Sequence, residues 1–77
     1  MQLHDRVHAK YPIKADIPAG CPGTIVHVYF FAGQARGYEV EFFDHRHQPI
    51  NIVTCLPCEI HLLSHTNQSK SQPNRES

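Results

Sequence analysis

The residues best suited to chemistry lie together near the end of the chain, in the segment "CLPCEIHLLSH". It holds Cys55, Cys58, His61 and His65. Thiolate and imidazole are the usual ligands of zinc, and these four side chains could in principle fill one tetrahedral site. Structural zinc sites, however, normally take their two ligand pairs from elements separated by about a dozen residues, and here only two residues lie between the pairs. The spacing therefore argues against a closed zinc site.

A second histidine pair stands in the segment "DHRH". His45 and His47 are alternate residues, so on a strand they would share one face at a separation of about 6–7 Å. Asp44 precedes them, and an Asp at such a point most often caps its own turn. We predict a solvated turn here, and we predict no metal and no cofactor for the chain.

The same residues are of types that serve two kinds of catalysis, thiol redox chemistry and nucleophilic attack. "CLPC" has a proline before its second thiol, as thioredoxin-like motifs do, but those motifs need a helix that begins at the cysteines, and "IHLL" is typical of a strand. Nucleophilic catalysis needs a pocket that excludes water, and a domain this small has little room for one. We predict that the protein is not an enzyme.

Length and charge restrict the classes of function. The chain has 77 residues, enough for one domain, with seven Lys and Arg against seven Asp and Glu. A formal charge of zero removes the long-range attraction used by most nucleic-acid and membrane-surface binders. Three cysteines cannot form a complete disulfide framework, and no apolar run is long enough for a signal or membrane segment. We predict a cytoplasmic protein without membrane contact.

Period-two alternation of apolar residues predicts an all-β domain. "TIVHVYFF" and "YEVEF" are rich in β-branched and aromatic residues, and the glycines between them indicate a hairpin loop slightly longer than the tightest type. "QPINIVTC" follows as a third strand of this meander, "HDRVHAKY" precedes it, and "IHLL" closes it. Three prolines between positions 12 and 22 predict a long ordered loop anchored by Ile13 and Ile17.

This order of elements predicts a small five-stranded SH3-like barrel over residues 1–63, with a long first loop, followed by a polar flexible tail over 64–77. The inward residues of each strand form the predicted core: Val7, Ala9, Val26, Val28, Phe30, Tyr38, Val40, Phe42, Ile50, Ile52 and Leu62.

Residues 3–63 also resemble a family of small bacterial SH3-like barrel domains of unknown function. The resemblance rests on Leu3, Asp5 and Val7, then on "GTIVHV", "YEVEFFD" and "LPCEIHLL". It implies the barrel fold and a non-catalytic partner role, as an accessory, antitoxin-like or immunity-like protein. The cysteine and histidine content departs from the family pattern, so any chemistry of these residues would belong to this chain alone.

The strands carry more apolar residues than one buried face requires. Ile25, Tyr29 and Phe31 lie opposite the predicted core set of the second strand, and Phe43 lies beside glutamates on the third. Strong bending of a barrel this small can bury part of such a surplus. Otherwise the surplus predicts an exposed patch that binds a protein partner or a second copy of the chain. We therefore predict a protein-binding module that forms a homodimer or larger oligomer through Ile25, Tyr29, Phe31 and Phe43.

A nucleic-acid-binding SH3-like domain is the alternative. Its basic and aromatic face would consist of Arg6, Lys10, Lys14, Arg36, Arg46, Tyr29 and Phe31. The zero net charge and the glutamates beside those aromatic residues argue against it.

Overall fold

The computed structural model describes residues 1–64, and they form one antiparallel five-stranded sheet. The strands are β1 (Arg6–Ala9), β2 (Pro22–Phe31), β3 (Gln34–Phe43), β4 (Pro49–Cys55) and β5 (Ile60–Ser64). Their order across the sheet is β4-β3-β2-β1-β5, so β4 and β5 are the two edges. The all-β prediction is confirmed, but the sheet is not closed into a barrel, because its two edge strands do not pair with each other in the part of the chain described.

Short connections follow from local turn chemistry. The Asp44 carboxylate accepts hydrogen bonds from the backbone N–H groups of Arg46 and Gln48, at 2.8 and 3.0 Å, which confirms the predicted solvated turn between β3 and β4. Between β4 and β5 a single 3₁₀ turn, Pro57–Glu59, begins with the Leu56 N–H donating to the Glu59 carboxylate at 2.7 Å. The predicted tight turn before the closing strand is thus confirmed.

The loop between β1 and β2 is ordered, as its prolines predict. Ile17 is fully buried under the sheet, and Ile13 packs partly against the same core. The backbone N–H of Ile13 donates to the Ile17 carbonyl at 2.9 Å, which closes the loop on itself. Burial of these two side chains fixes a segment that has no regular secondary structure.

The core agrees with the prediction in β1 and β3 and differs in the other strands. Confirmed members are Val7, Ala9, Tyr38, Val40 and Phe42. Four predicted members are exposed instead, namely Val26, Phe30, Ile52 and Leu62, while Val28 and Ile50 are only partly buried. Their places are taken by Ile17, Cys21, Ile25, Cys55 and Ile60.

A β-bulge explains the error in β2. Ile25 pairs with Val40 and His27 with Glu39, so Val26 is an extra residue without a partner on β3. One extra residue reverses the alternation of every side chain that follows it. Ile25, before the bulge, therefore faces the same side of the sheet as Val28, after it. Ile25 is in the core and Val26 points away from it, the reverse of what strict alternation predicts.

The N-terminal segment extends the pairing of β1 with β2. The Ile25 N–H donates to the Asp5 carbonyl at 3.0 Å, and the His4 N–H donates to the Ile25 carbonyl at 2.7 Å. The buried Asp5 carboxylate accepts a hydrogen bond from the Gln2 N–H at 2.8 Å. These bonds hold the first residues across the start of β2. Over residues 1–64 there is no helix long and apolar enough to cross a membrane.

Candidate binding surface

The end of the β2–β3 hairpin projects beyond the rest of the sheet. β1 pairs only with residues 22–24 of β2, and β4 pairs only with residues 38–43 of β3. Residues 29–37 therefore form a two-stranded ribbon, which we call the hairpin end. It carries three consecutive aromatic residues, Tyr29, Phe30 and Phe31, whose side chains are 42, 69 and 72% exposed.

A tight turn closes the hairpin end. Ala32 and Gly33 are its two central residues, with φ of 54° and 78°, as the type I′ turn of a two-residue hairpin requires. The loop is shorter than the sequence predicted, because residues 34–36 continue β3. A two-residue turn of this type matches the strand twist, so it positions the neighbouring aromatic residues on a defined ribbon.

Register places the three aromatic residues on both faces of the ribbon. Phe30 lies opposite Ala35, on the face that is continuous with the core, whereas Tyr29 lies opposite Gly37 and Phe31 opposite Gln34, on the other face. The Tyr29 ring passes over Gly37, where an added Cβ would lie 3.8 Å from its Cδ2. The hairpin end therefore presents apolar surface in two directions.

Glu39 organises the outer face beside the hairpin end. Its carboxylate accepts hydrogen bonds from the Thr54 hydroxyl, at 2.6 Å, and from the Tyr29 hydroxyl, at 3.0 Å. These bonds lower the pKa of Glu39 below its ordinary value, with a smaller contribution from nearby His27. The same bond to Glu39, followed by desolvation and the carboxylate charge, raises the pKa of Tyr29. The Tyr29 side chain thus has two contacts, the hydrogen bond from its hydroxyl to Glu39 and an edge-to-face contact with His27, whose ring centroid lies 4.6 Å from its own.

An open apolar groove of about 490 Å³ lies on the other face, beside Phe30. Its lining includes Met1, Leu3, Val28 and Phe30, with few polar atoms. Gln2 and His27 supply the polar part of this lining, and the remaining residues are apolar.

The structure brings together only part of the predicted interface. Tyr29 and Phe31 share the outer face of the hairpin end. Ile25 is fully buried, so its assignment to an exposed interface is wrong, and the bulge at Val26 is the reason. Phe43 is half-buried at the far end of β3. The distance along the strand from position 34, opposite Phe31, to position 43 is about 30 Å.

The cysteines do not form a reactive group. Burial raises the pKa of Cys55 to about 11, and burial also raises that of Cys21, whose thiol donates to the Phe43 carbonyl at 3.3 Å. Cys58 is exposed in the 3₁₀ turn. A thiol with a raised pKa is a poor nucleophile and a poor metal ligand at neutral pH.

The predicted histidine candidates are dispersed. His45 and His47 lie exposed in the β3–β4 turn, His61 lies on β5, and His65 lies outside the described residues. Within residues 1–64 no group of three or more His, Cys, Asp or Glu side chains is placed to hold a metal ion.

Sequence reasoning missed two surface residues. The sequence predicts Phe30 in the core, but the structure exposes it, because neither β1 nor β4 reaches the hairpin end. The sequence predicts only that His8 lies on a strand, yet His8 is directly across from His61, with ring centroids 5.2 Å apart. No local pattern signals this contact, because 52 intervening residues separate the two histidines.

Comparisons with protein-family models, with curated proteins and with solved structures found no match to the chain.

Proposed function

We propose that this protein is a non-catalytic binding module whose hairpin end associates with a second copy of the chain. The observation that carries the proposal is the exposure of Phe30 and Phe31, 69 and 72%, at the tip of a ribbon that no other described strand covers. Adjacent exposed aromatic residues rarely persist on a monomer's surface, because their burial contributes much of the energy of protein interfaces.

Two features support a second copy as the partner. The formal charge is zero, so two copies meet without net electrostatic repulsion. Beyond Ile25, the edge of β2 that faces away from β3 pairs with no other strand in residues 1–64. An unpaired strand edge is a template for antiparallel pairing. Pairing of residues 26–31 with the same residues of a second copy would be two-fold symmetric and would cover the aromatic side chains of both.

The edge strand β4 is a less suitable contact. It begins with Pro49, which has no N–H to donate, and the Ile52 N–H donates to the Asn51 side chain at 2.9 Å. Both features reduce the pairing capacity of that edge. We therefore assign the contact to β2.

The strand order supports the finer fold assignment. A meander of β2, β3 and β4 with β1 placed between β2 and β5 is the order expected of an SH3-like domain. Free thiols at all three cysteines support a reducing compartment such as the cytoplasm. Glu39, bonded to Tyr29, places negative charge beside the aromatic residues and so weakens the case for a nucleic-acid ligand.

Sedimentation equilibrium over a range of concentrations tests the proposal. We expect the wild-type chain to dimerise. In the double variant Phe30→Ser/Phe31→Ser the dissociation constant of the dimer should rise at least about tenfold for each ring removed. The matched control is Tyr11→Ser/Leu56→Ser, which removes two exposed apolar side chains from other surfaces and should leave dimerisation unchanged.

Two outcomes would contradict the proposal. One is a wild-type chain that stays monomeric at high micromolar concentration. The other is salt-sensitive binding of single-stranded oligonucleotides that is lost in Phe30→Ser/Phe31→Ser, because that result would assign the aromatic surface to nucleic acid instead.

A further inference from the structure

Two histidines form a cross-strand pair at the β5 edge of the sheet. His8 on β1 and His61 on β5 are directly opposed in the antiparallel register. Both point away from the core, because Val7, Ala9 and Ile60 beside them are buried. The rings are tilted by 43°, and their centroids are 5.2 Å apart.

This separation suits chelation of one ion by both rings. With bonds of about 2.0–2.1 Å from zinc to each imidazole nitrogen and a tetrahedral angle between them, the two ring centroids lie roughly 5 Å apart. We propose that His8 and His61 form a surface site for a nitrogen-preferring divalent transition ion such as Cu²⁺ or Zn²⁺. This site is independent of the hairpin end.

The backbone already holds the two ligands in register. β1 and β5 are paired over Arg6–Ala9, so only side-chain rotations separate the observed rings from a chelating arrangement. Two ligands on one rigid scaffold act as a bivalent host, and such linkage raises affinity about 10²-fold or more over one ligand alone.

The site would be open and selective. With two protein ligands, the remaining positions on the ion are free for water or for another molecule. Arg6 at the start of β1 and Lys10 just after its end are each two residues from His8, and their charges oppose a cation held only by electrostatic attraction. Mg²⁺ and Ca²⁺ depend on carboxylate and carbonyl oxygens, so neither should bind here. Cu²⁺ should bind more tightly than Zn²⁺.

Isothermal titration of the full chain with CuCl₂, ZnCl₂ and MgCl₂, in a buffer that does not bind metals, tests the site. We expect one Cu²⁺ or Zn²⁺ per chain and no Mg²⁺. His8→Asn and His61→Asn should each weaken binding about 100-fold, because each leaves a single imidazole. The matched control His45→Asn/His47→Asn removes two exposed histidines elsewhere and should bind as the wild type does.

A readout on the unmodified chain guards against misfolded variants. Substoichiometric Cu²⁺ should broaden the ring proton signals of His8 and His61 in NMR spectra before those of His27 or His45. Broadening of other histidines first, or undiminished binding by His8→Asn, would overturn the proposal. Equal loss of affinity in His45→Asn/His47→Asn would also overturn it.

Discussion

One hairpin contains two regions with the same kind of sequence and opposite environments. In its packed half, residues 22–25 and 38–43, the apolar side chains of Ile25, Val40 and Phe42 are fully buried. In the hairpin end, Tyr29, Phe30 and Phe31 are exposed, although these aromatic residues favour strands as much as the buried residues of the packed half do. The difference lies in the neighbours, since β1 and β4 flank the first region and neither reaches the second. Alternation predicts a strand, but burial depends on what lies beside it.

The largest expected contrast between the two regions comes from removing one phenyl ring from each. Phe42→Ala should lower the free energy of unfolding by about 3–5 kcal/mol, because it leaves a cavity in the core. Phe31→Ala should change it by no more than about 0.5 kcal/mol, because the ring is largely solvated in the monomer. Urea unfolding at concentrations that keep the chain monomeric measures both. If Phe42→Ala does not fold, Phe42→Leu replaces it in the comparison and should still be less stable than Phe31→Ala.

Two glycines of the hairpin sharpen the contrast. A Cβ at Gly23, in the packed half, would lie 2.6 Å from Cγ1 of Val40 and 3.0 Å from the Glu41 carbonyl oxygen. A Cβ at Gly37 would meet its nearest described neighbours at 3.7 and 3.8 Å, which are ordinary contacts. Gly23→Ala should therefore cost about 1–3 kcal/mol of stability and Gly37→Ala much less. Similar unfolding midpoints for the two variants would contradict this account, because they would show that the packed half can accommodate a Cβ at Gly23.

The turn at the hairpin end carries a smaller and opposite effect. Ala32 has φ of 54°, a left-handed conformation that costs an L-residue with a Cβ about 1–2 kcal/mol, less for Asn. Ala32→Asn and Ala32→Gly should therefore raise the free energy of unfolding by up to about 1 kcal/mol. Ala35→Gly, at a position on β3 where φ is not positive, is the control and should lower it. A thermal melt in which Ala32→Asn unfolds earlier than the wild type would contradict this account.

The smallest effect concerns Glu39, where the packed half meets the hairpin end. Thr54→Val and Tyr29→Phe should each raise the pKa of Glu39 toward its ordinary value, since each removes a hydrogen bond to the carboxylate. Because the pKa of Glu39 is lowered on folding, its contribution to stability is present above the unfolded-state pKa and lost as pH falls through the folded-state value. NMR titration of the Glu39 side chain measures the shift, with Glu41 as an internal reference. An unchanged Glu39 titration in Thr54→Val would show that the hydrogen bond is absent in solution.

Several features were accessible from sequence because they are local. Alternation identified all five strands, Asp44 identified its turn, and the prolines with Ile13 and Ile17 identified an ordered loop. These patterns indicate the conformational preferences of residues that are close in sequence. Such preferences arise from backbone sterics and from hydrogen bonds within a few residues.

The errors concern residues whose position depends on the partner strand. The bulge at Val26 reversed the assignment of Ile25, and nothing in "TIVHVYFF" specifies where an extra residue is accommodated. Phe30 is exposed because β1 and β4 end before they reach it. The prediction places Phe43 in one patch with Phe31, yet the two residues lie at opposite ends of the hairpin. The position of a residue relative to the partner strand is set by the register of the two strands.

The sequence by itself determined an all-β domain, its turns and a surplus of exposed aromatic side chains, because hydrophobic periodicity and turn propensity act over a few residues. Tertiary structure alone decided which aromatic residues project at the hairpin end and that His8 lies against His61. Both depend on strand register and strand length, and these follow from packing between segments far apart in the chain.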